Sequence, residues 1–261
     1  MLLADSHCHI LDPRLKDRAE EIVKNLHQDG LAFIVEVSAD VAESHEGLEF
    51  AKAHDNVYCT LGVHPNRACH YNDEFEDWAA TQKSKKIVAI GECGLDYHWM
   101  THPKEIQRSV FIRQIKLADK MKLPLVIHMR DSFDDMLQIL IDNARHLNNG
   151  ILFHCFSEGA QQVEIILKHF DAYFAFGGAI TYKNNTTSDG AIAAVPFDRI
   201  MVETDAPYLA PDGVGGGKGR KVINEPCNVR FVVEHVAKVL NHPFDQVAAA
   251  TLVNTRRFFR I

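Results

Sequence analysis

Two histidines near the start of this 261-residue chain, which has 15 histidines in all, have the spacing of paired metal ligands. His7 and His9 flank Cys8 at the end of an apolar run. In an extended strand, residues i and i+2 point to the same side, so the two imidazoles can share one ion. A divalent ion held there would activate water for hydrolysis. The pattern alone is only moderately specific, and the alternative is two ordinary polar residues where a strand leaves the core.

Four further residues of metal-binding type follow short apolar runs elsewhere in the sequence. Taken singly, each has an ordinary explanation, because a buried histidine can be hydrogen-bonded in the core and a carboxylate can face solvent or form an Asx turn. All four nevertheless fall at predicted carboxyl ends of strands, and this shared position favours one common metal site. The four residues are Glu92, His128, His154 and Asp205.

Together, these four histidines and two carboxylates exceed the ligands that one tetrahedral ion uses. The natural count is therefore two divalent ions, bridged by a carboxylate or a hydroxide. Nitrogen-rich ligation suits zinc, manganese, iron or cobalt better than calcium, and magnesium requires water at some of the positions. A hydroxide held between two ions can attack phosphorus in line, while Asp205 orients this water and accepts its proton.

The elements that must position these residues alternate along the chain as eight short apolar runs and longer amphipathic stretches. One such stretch, residues 104–121, keeps an apolar face and follows Pro103, and a final helix is predicted over residues 245–258. No linker divides the sequence, so it predicts one α/β domain over residues 1–261, a single (β/α)8 TIM-like barrel. In such barrels the carboxyl ends of the strands converge on one face. The predicted strands cover residues 2–7, 33–37, 57–63, 87–92, 125–128, 151–154, 172–176 and 200–204.

A glycine-rich segment, residues 212–220, suggests a nucleotide-binding loop at first sight. The spacing of a P-loop is absent, because Gly219 stands where the Ser or Thr hydroxyl should be. The sequence instead predicts a flexible surface loop whose Lys218 and Arg220 can contact phosphates. The alternative fold, an open doubly wound sheet, would normally carry a glycine-rich fingerprint after its first strand, and none follows here.

The charge balance limits the class of partner. Lysine and arginine number 28 and aspartate and glutamate 35, which gives a formal net charge of −7. This balance argues against a protein that grips duplex DNA along its length. The six cysteines contain no CxxC pair, so we expect reduced thiols in a cytoplasmic protein. Neither a signal peptide nor a membrane partner is expected from the apolar runs.

The segments around the candidate ligands form a set of motifs that spans nearly the whole chain. The set comprises Ala4-Asp5-Ser6-His7-Cys8-His9, Gly91-Glu92-Cys93-Gly94-Leu95-Asp96-Tyr97, Leu123-Pro124-Leu125-Val126-Ile127-His128, His154-Cys155-Phe156-Ser157, Glu203-Thr204-Asp205-Ala206-Pro207-Tyr208-Leu209, Asn224-Glu225-Pro226 and Asn254-Thr255-Arg256-Arg257-Phe258. It closely resembles the TatD family of metal-dependent deoxyribonucleases, within the amidohydrolase superfamily.

This resemblance implies a distorted (β/α)8 barrel and a two-metal site in which Glu92 bridges the ions. It also implies hydrolysis of nucleic-acid phosphodiester bonds, with exonuclease action on single-stranded ends, through the two-metal-bound hydroxide. Asp205 and Glu92 are then the expected catalytic residues. The implied cofactors are two divalent cations per chain, which are zinc, manganese or magnesium. Their expected ligands are His7, His9, Glu92, His128, His154 and Asp205.

Two departures from the family pattern concern the substrate side. Where the family commonly has His-Pro-His after the third strand, this chain has His64-Pro65-Asn66, so only His64 carries over as an expected substrate contact. The basic segment ahead of Asn224 is longer and rearranged around Lys218 and Arg220. Arg130, two residues beyond His128, is a further expected phosphate contact, with a surface salt bridge as the alternative.

Two other functions fit the same ligands. The first is amide, lactone or aminoacyl-ester hydrolysis, although many superfamily amidases carry a carboxylated lysine on the fourth strand, where this chain has Glu92. The second is a non-catalytic metal-binding barrel that docks nucleic acid or a protein. Two divalent ions would make the site itself positive within an acidic chain, so a single strand or a chain end is the expected nucleic-acid partner. The sequence leaves the oligomeric state open.

Overall fold

The computed structural model describes residues 1–216 and 221–261. Eight parallel strands follow one another in the sheet in chain order, with helices between them, which confirms the predicted (β/α)8 barrel of the α/β class. The strands are β1 (Leu3–Cys8), β2 (Leu31–Glu36), β3 (Val57–Leu61), β4 (Ile87–Asp96), β5 (Leu125–Arg130), β6 (Ile151–Phe153), β7 (Ala172–Phe176) and β8 (Ile200–Val202).

Two helices were predicted from local sequence signals, and the final one, predicted over residues 245–258, is observed as Phe244–Phe259. The helix predicted over residues 104–121 has these bounds in the structure. Pro103 precedes its first turn, and Lys122 ends it in the left-handed conformation at φ 57°. The helices are α1 (Ala19–Asn25), α2 (Val41–Ala53), α3 (Asp73–Thr81), α4 (Lys104–Met121), α5 (Phe133–Asp142), α6 (Ala160–His169), α7 (Ser188–Ala194), α8 (Val229–Leu240) and α9 (Phe244–Phe259).

The described chain forms two compact units, and the first comprises Met1–Glu36, Cys155–Lys168 and Tyr173–Ile261. In this unit β1 pairs with β2 and β7 pairs with β8, all in parallel. A buried polar link joins β1 to β8, because the Ser6 hydroxyl donates to the carbonyl of Val202 at 2.9 Å.

The second unit comprises Val37–His154 and His169–Ala172, and contains the parallel pairs β3–β4, β4–β5 and β5–β6. The predicted ends of two of these strands are wrong. β4 runs on past Glu92 to Asp96, and β5 runs past His128 to Arg130. The reason is tertiary, because the added residues pair with each other, with Asp96 opposite Arg130.

Two buried glutamines on α4 bind the backbone after β3 and at the end of β4. The Gln114 amide accepts from the Val63 N–H at 2.8 Å and donates to the Val63 carbonyl at 2.9 Å. Two helical turns earlier on α4, the Gln107 amide accepts from the Asp96 N–H at 2.8 Å and donates to the carbonyls of Asp96 and His102. Each amide therefore satisfies backbone groups that would otherwise be buried without partners.

None of the helices in the described ranges is both long and apolar enough to cross a membrane. The single-domain organisation over residues 1–261 stays a prediction.

Candidate metal centre

Three predicted ligands come together in the first unit, and we call His7, His9 and Asp205 the first donor group. The Nε2 atoms of His7 and His9 lie 3.2 Å apart. The Oδ1 atom of Asp205 lies 3.4 Å from Nε2 of His9 and 3.8 Å from Nε2 of His7. His7 is fully buried, whereas the Asp205 side chain keeps 13% of its surface exposed. The His9 side chain is exposed to a similar extent, at 12%, so the group opens to solvent at both His9 and Asp205.

Backbone hydrogen bonds hold the Asp205 segment against the end of β1. The Asp205 N–H donates to the His7 carbonyl at 2.9 Å, and the His9 N–H donates to the Ala206 carbonyl at 2.6 Å. Asp205 itself has φ 55°, in the left-handed region that aspartate tolerates better than most residues. The Asn224 amide donates to the carbonyls of Thr204 and Tyr208, both at 2.8 Å, which closes the segment from its other side.

The buried carboxyl of Asp5 is hydrogen-bonded to His7 and to Thr204, the residue before Asp205. Asp5 accepts hydrogen bonds from the Thr204 N–H at 2.9 Å and the His7 N–H at 3.2 Å, and also from the Thr204 hydroxyl. Burial raises the pKa of Asp5 to about 8, against the opposing effect of these hydrogen bonds. Asp5 therefore joins β1 to the segment after β8, and sequence reasoning had not singled it out.

The rim of this group carries an aromatic side chain backed by an ion pair. The Tyr208 ring meets the His9 ring edge-on, with centroids 5.9 Å apart. The guanidinium of Arg14 lies 4.2 Å from the Tyr208 centroid and binds both oxygens of Asp12. Because Asp12 also accepts from the Tyr208 hydroxyl at 3.3 Å, the ring is held at both its face and its hydroxyl.

The other three predicted ligands come together in the second unit, and we call Glu92, His128 and His154 the second donor group. The Oε1 atom of Glu92 lies 2.7 Å from Nε2 of His154 and 2.8 Å from Nδ1 of His128. These two nitrogens are 3.3 Å apart. One oxygen and two ring nitrogens therefore face a common point.

The continuation of β4 past Glu92 sets this geometry. Gly94 lies directly beside β5, and a Cβ added there would meet the His128 carbonyl oxygen at 2.0 Å. Its φ of 142° also disfavours any other residue. Glycine thus allows β4 to pass close to the backbone of His128, which brings Glu92 to the imidazole.

The charge of Glu92 is set by its neighbours. Burial opposes ionisation of this carboxyl, but the imidazoles of His154, His64 and His128 outweigh it and hold the pKa of Glu92 well below its ordinary value. Burial lowers the pKa of His128, yet Asp96 and Glu92 raise it overall. The second donor group is therefore built around an ionised carboxylate in contact with two imidazoles.

His64, an expected substrate contact, lies beside the same carboxylate. Its Nε2 atom is 3.5 Å from Oε1 of Glu92, and its Nδ1 atom accepts from the Asn66 N–H at 3.0 Å. Burial and the neighbouring His128 lower the pKa of His64 to about 3. His64 is therefore a neutral imidazole whose Nε2 carries the proton.

The spacing of the imidazole nitrogens in both donor groups fits a divalent cation. Ligand atoms on a tetrahedral zinc ion lie roughly 3.3 Å apart, given metal–nitrogen bonds of about 2.0–2.1 Å. The two nitrogen pairs, at 3.2 and 3.3 Å, match this spacing. Nitrogen lone pairs at such distances repel each other unless a proton or a cation lies between them. The sets of two imidazoles and one carboxylate favour zinc or manganese over magnesium and calcium.

Comparison with known proteins identifies the family. The sequence model described as TatD related DNase matches residues 4–260. The chain belongs to this family. Over its full length and that of the relative, it is 34% identical to the uncharacterized metal-dependent hydrolase YabD of Bacillus subtilis. It is 31% identical to the 3'-5' ssDNA/RNA exonuclease TatD of Erwinia amylovora, with 94% of each chain covered.

A solved structure within the TatD family shares the fold. It is that of YJJV, a TatD homologue from Escherichia coli K12, with a TM-score of 0.87, 27% identity, and coverage of 99% of this chain and 98% of that chain. The resemblance inferred from the motifs is thus confirmed. This TatD-family chain is a metal-dependent hydrolase by family, with clustered histidines and carboxylates that can bind metal.

The remaining expected substrate contacts of this TatD-family chain divide into two cases. Arg130 ends β5 and is exposed, and no salt bridge to it is found within residues 1–216 and 221–261, so its contact with phosphate stays a prediction. Its guanidinium lies 5.6 Å from the centroid of the Trp99 ring. Lys218 and Arg220 lie outside the described residues, and their contact with phosphates stays a prediction.

Sequence reasoning also missed Asp96, which supports His128. Its Oδ2 atom lies 3.1 Å from Nε2 of His128, on the far side of the ring from Glu92. A carboxylate in this position orients a metal-binding imidazole and increases its basicity. The available signal was spacing, because Asp96 follows Glu92 by four residues in an extended run and so points to the same side.

We expect Asp96→Asn to weaken metal binding to the second donor group by about 10- to 100-fold, because the amide cannot fix the imidazole as the carboxylate does. The measurement is competition with a chromophoric chelator for zinc and for manganese. Asp131→Asn is the matched control, since Asp131 is exposed and pairs with His98 rather than with a predicted ligand. Equal metal affinity for Asp96→Asn and the unaltered chain would remove Asp96 from this role.

Proposed function

We propose that this chain is a metal-dependent nuclease that hydrolyses phosphodiester bonds of DNA, and of RNA, from the end of a single strand. The observation that carries the proposal is the pair of donor groups, each with two imidazole nitrogens and one carboxylate oxygen within 3.8 Å. Metal-dependent hydrolysis is the chemistry of the family. The nuclease activity is the part that we infer.

The cofactors we propose are two divalent cations, one for each donor group. His7, His9 and Asp205 would hold one, and Glu92, His128 and His154 the other. Such cations lower the pKa of water and stabilise negative charge on phosphoryl oxygens. Zinc and manganese fit the nitrogen-rich donors best, and magnesium fits less well.

Asp205 and Glu92 have different roles in this proposal. Asp205 is partly exposed and can accept the proton of the attacking water, because one of its oxygens faces the imidazoles and the carboxyl keeps access to solvent. Glu92 is buried among imidazoles and stays ionised, which makes it a fixed negative charge that holds a cation. His64 presents a neutral N–H that can donate to a substrate oxygen.

The substrate class is supported by charge and by relatives. With a formal net charge of −7 the chain lacks the excess of basic residues that a broad grip on a duplex needs. A single strand or a chain end needs fewer phosphate contacts. Relatives from two Erwinia species at 31% and 30% identity bear the name 3'-5' ssDNA/RNA exonuclease TatD. A cytoplasmic location stays a prediction from the cysteine pattern.

The test is cleavage of end-labelled oligonucleotides by the purified protein. The metals are removed with a chelator, and manganese, zinc or magnesium is then restored separately. We expect shortening of single-stranded DNA or RNA from one end, slower attack on a duplex, and complete loss with the chelator present. Labels at the 5′ and 3′ ends report the direction of cleavage.

Histidine variants tie this activity to the donor groups. His128→Ala should abolish cleavage while leaving the circular dichroism spectrum unchanged, and His27→Ala, which replaces an exposed histidine, should cleave normally. Amide, lactone and aminoacyl-ester substrates are assayed beside the oligonucleotides. Turnover of these alone would support the amidohydrolase alternative, and bound metal without turnover of any phosphodiester would support a non-catalytic barrel.

A further inference from the structure

An exposed tryptophan and an arginine lie together beside the second donor group. Trp99 keeps 63% of its surface exposed, and the Arg130 guanidinium lies 5.6 Å from its ring centroid. Arg130 sits opposite Asp96 in the β4–β5 register, two residues beyond His128. Arg130 therefore lies near His128 along β5, and the Trp99 backbone binds the carboxylate of Asp96, which contacts His128.

The backbone that carries Trp99 is held in place rather than free. Asp96 accepts from the N–H groups of His98 and Trp99 through Oδ1, at 3.0 and 2.9 Å, while its other oxygen contacts His128. The Gln107 amide donates to the carbonyls of Asp96 and His102, which lie on either side of Trp99 in the sequence. A single exposed tryptophan is common on protein surfaces, but one whose backbone is fixed to the support of a metal ligand is preorganised for contact with substrate.

The charges around Trp99 suit an anionic partner. The Lys104 ammonium lies 4.0 Å from the centroid of the Tyr97 ring, and the Arg130 guanidinium lies 5.6 Å from that of Trp99. Lys104 also interacts electrostatically with Asp135, whose main partner is Arg108. The carboxylate of Asp131, the next residue after Arg130, lies 3.0 Å from Nδ1 of His98. Aromatic faces next to cations are the features that bind bases and phosphates of a single strand.

We propose that Trp99 and Arg130 form a stacking platform for an unpaired nucleobase of the substrate strand. This inference rests on the proposed nuclease function and assigns its substrate-binding residues. The indole stacks on the base, and the guanidinium contacts the adjacent phosphate. A base within a duplex has both faces covered by its neighbours, so the platform selects single strands.

The fluorescence of Trp99 tests the platform directly. The chain has only two tryptophans, and Trp78→Phe leaves Trp99 as the sole emitter. The metal-loaded protein is titrated with a phosphorothioate single strand of about 15 nucleotides, which is slow to hydrolyse and long enough for such sites. We expect saturable quenching by this strand and none by an abasic strand with the same backbone. Equal quenching by both strands would overturn the proposal.

Variants measured by fluorescence anisotropy of the labelled strand give the matched comparison. Trp99→Ala should weaken binding at least about tenfold, and Trp99→Phe should retain most of the affinity, because stacking needs only an aromatic face. Arg130→Ala should weaken binding about threefold, while Arg145→Ala, with the same loss of charge away from Trp99, should stay within about twofold of the unaltered chain. Unaltered affinity of Trp99→Ala would overturn the proposal.

These experiments distinguish a failure of the platform proposal from a failure of the proposed nuclease function. Each titration is repeated with a chelator, so that it reports binding without hydrolysis. A chain that binds the strand through Trp99 but cleaves no nucleic acid refutes the nuclease function and leaves the platform intact. If the unaltered chain cleaves nucleic acid and Trp99→Ala binds the strand as tightly as the unaltered chain, the platform alone is refuted.

Discussion

Asp205→Asn is expected to lower the rate constant for chelator-sensitive cleavage by about a thousandfold, because it removes the carboxylate that accepts the proton of the attacking water. Asparagine is the suitable replacement, since it keeps the size of the side chain and tolerates the left-handed backbone of Asp205, at φ 55°. The measurement is single-turnover cleavage of an end-labelled oligonucleotide at saturating protein.

Two controls separate the loss of a proton acceptor from other damage. Asp198→Asn replaces a carboxylate that pairs with Arg199, and it should stay within about twofold of the unaltered rate. Metal content is measured on every preparation, because Asp205 is also a proposed ligand. Cleavage by Asp205→Asn at more than about a tenth of the unaltered rate would contradict the assigned role.

The second large effect concerns metal content. We expect about two divalent ions per unaltered chain and about one in either His9→Ala or His128→Ala, because each variant removes an imidazole from a group with only three protein ligands. The double variant should hold almost none. Inductively coupled plasma mass spectrometry after gel filtration gives the metal content of each protein.

His27→Ala is the control for metal content, and it should retain the unaltered amount because His27 is exposed on a turn and belongs to neither donor group. A single variant that loses both ions would show that the ions are not held independently. An unaltered chain with one ion would contradict the assignment of two.

Local signals were sufficient for much of the fold. The periodic apolar face of residues 104–121, with Pro103 ahead of it, defines α4 because helix initiation and amphipathicity are encoded within a few turns. The same is true of β7, whose predicted and observed bounds agree. Strand ends were less predictable. β4 continues to Asp96 only because β5 is there to pair with it.

Residue types and spacing also indicated the candidate site. The six expected ligands were chosen from the sequence, and the structure brings three of them together in each unit. Their role as ligands stays a prediction. Sequence could not indicate which nitrogen of His128 faces Glu92, because ring orientation follows from the Asp96 contact on its other side.

The sequence by itself determined the alternation of strands and helices, the family, and the identity of the candidate ligands, since these depend on residue type and on spacing along the chain. Only the tertiary structure decided that Asp5 supports Thr204, that Asp96 supports His128, and that Arg130 lies over Trp99. Such contacts join residues from different elements. They follow from how strands pair and how close the backbone can approach, as at Gly94, rather than from any local pattern.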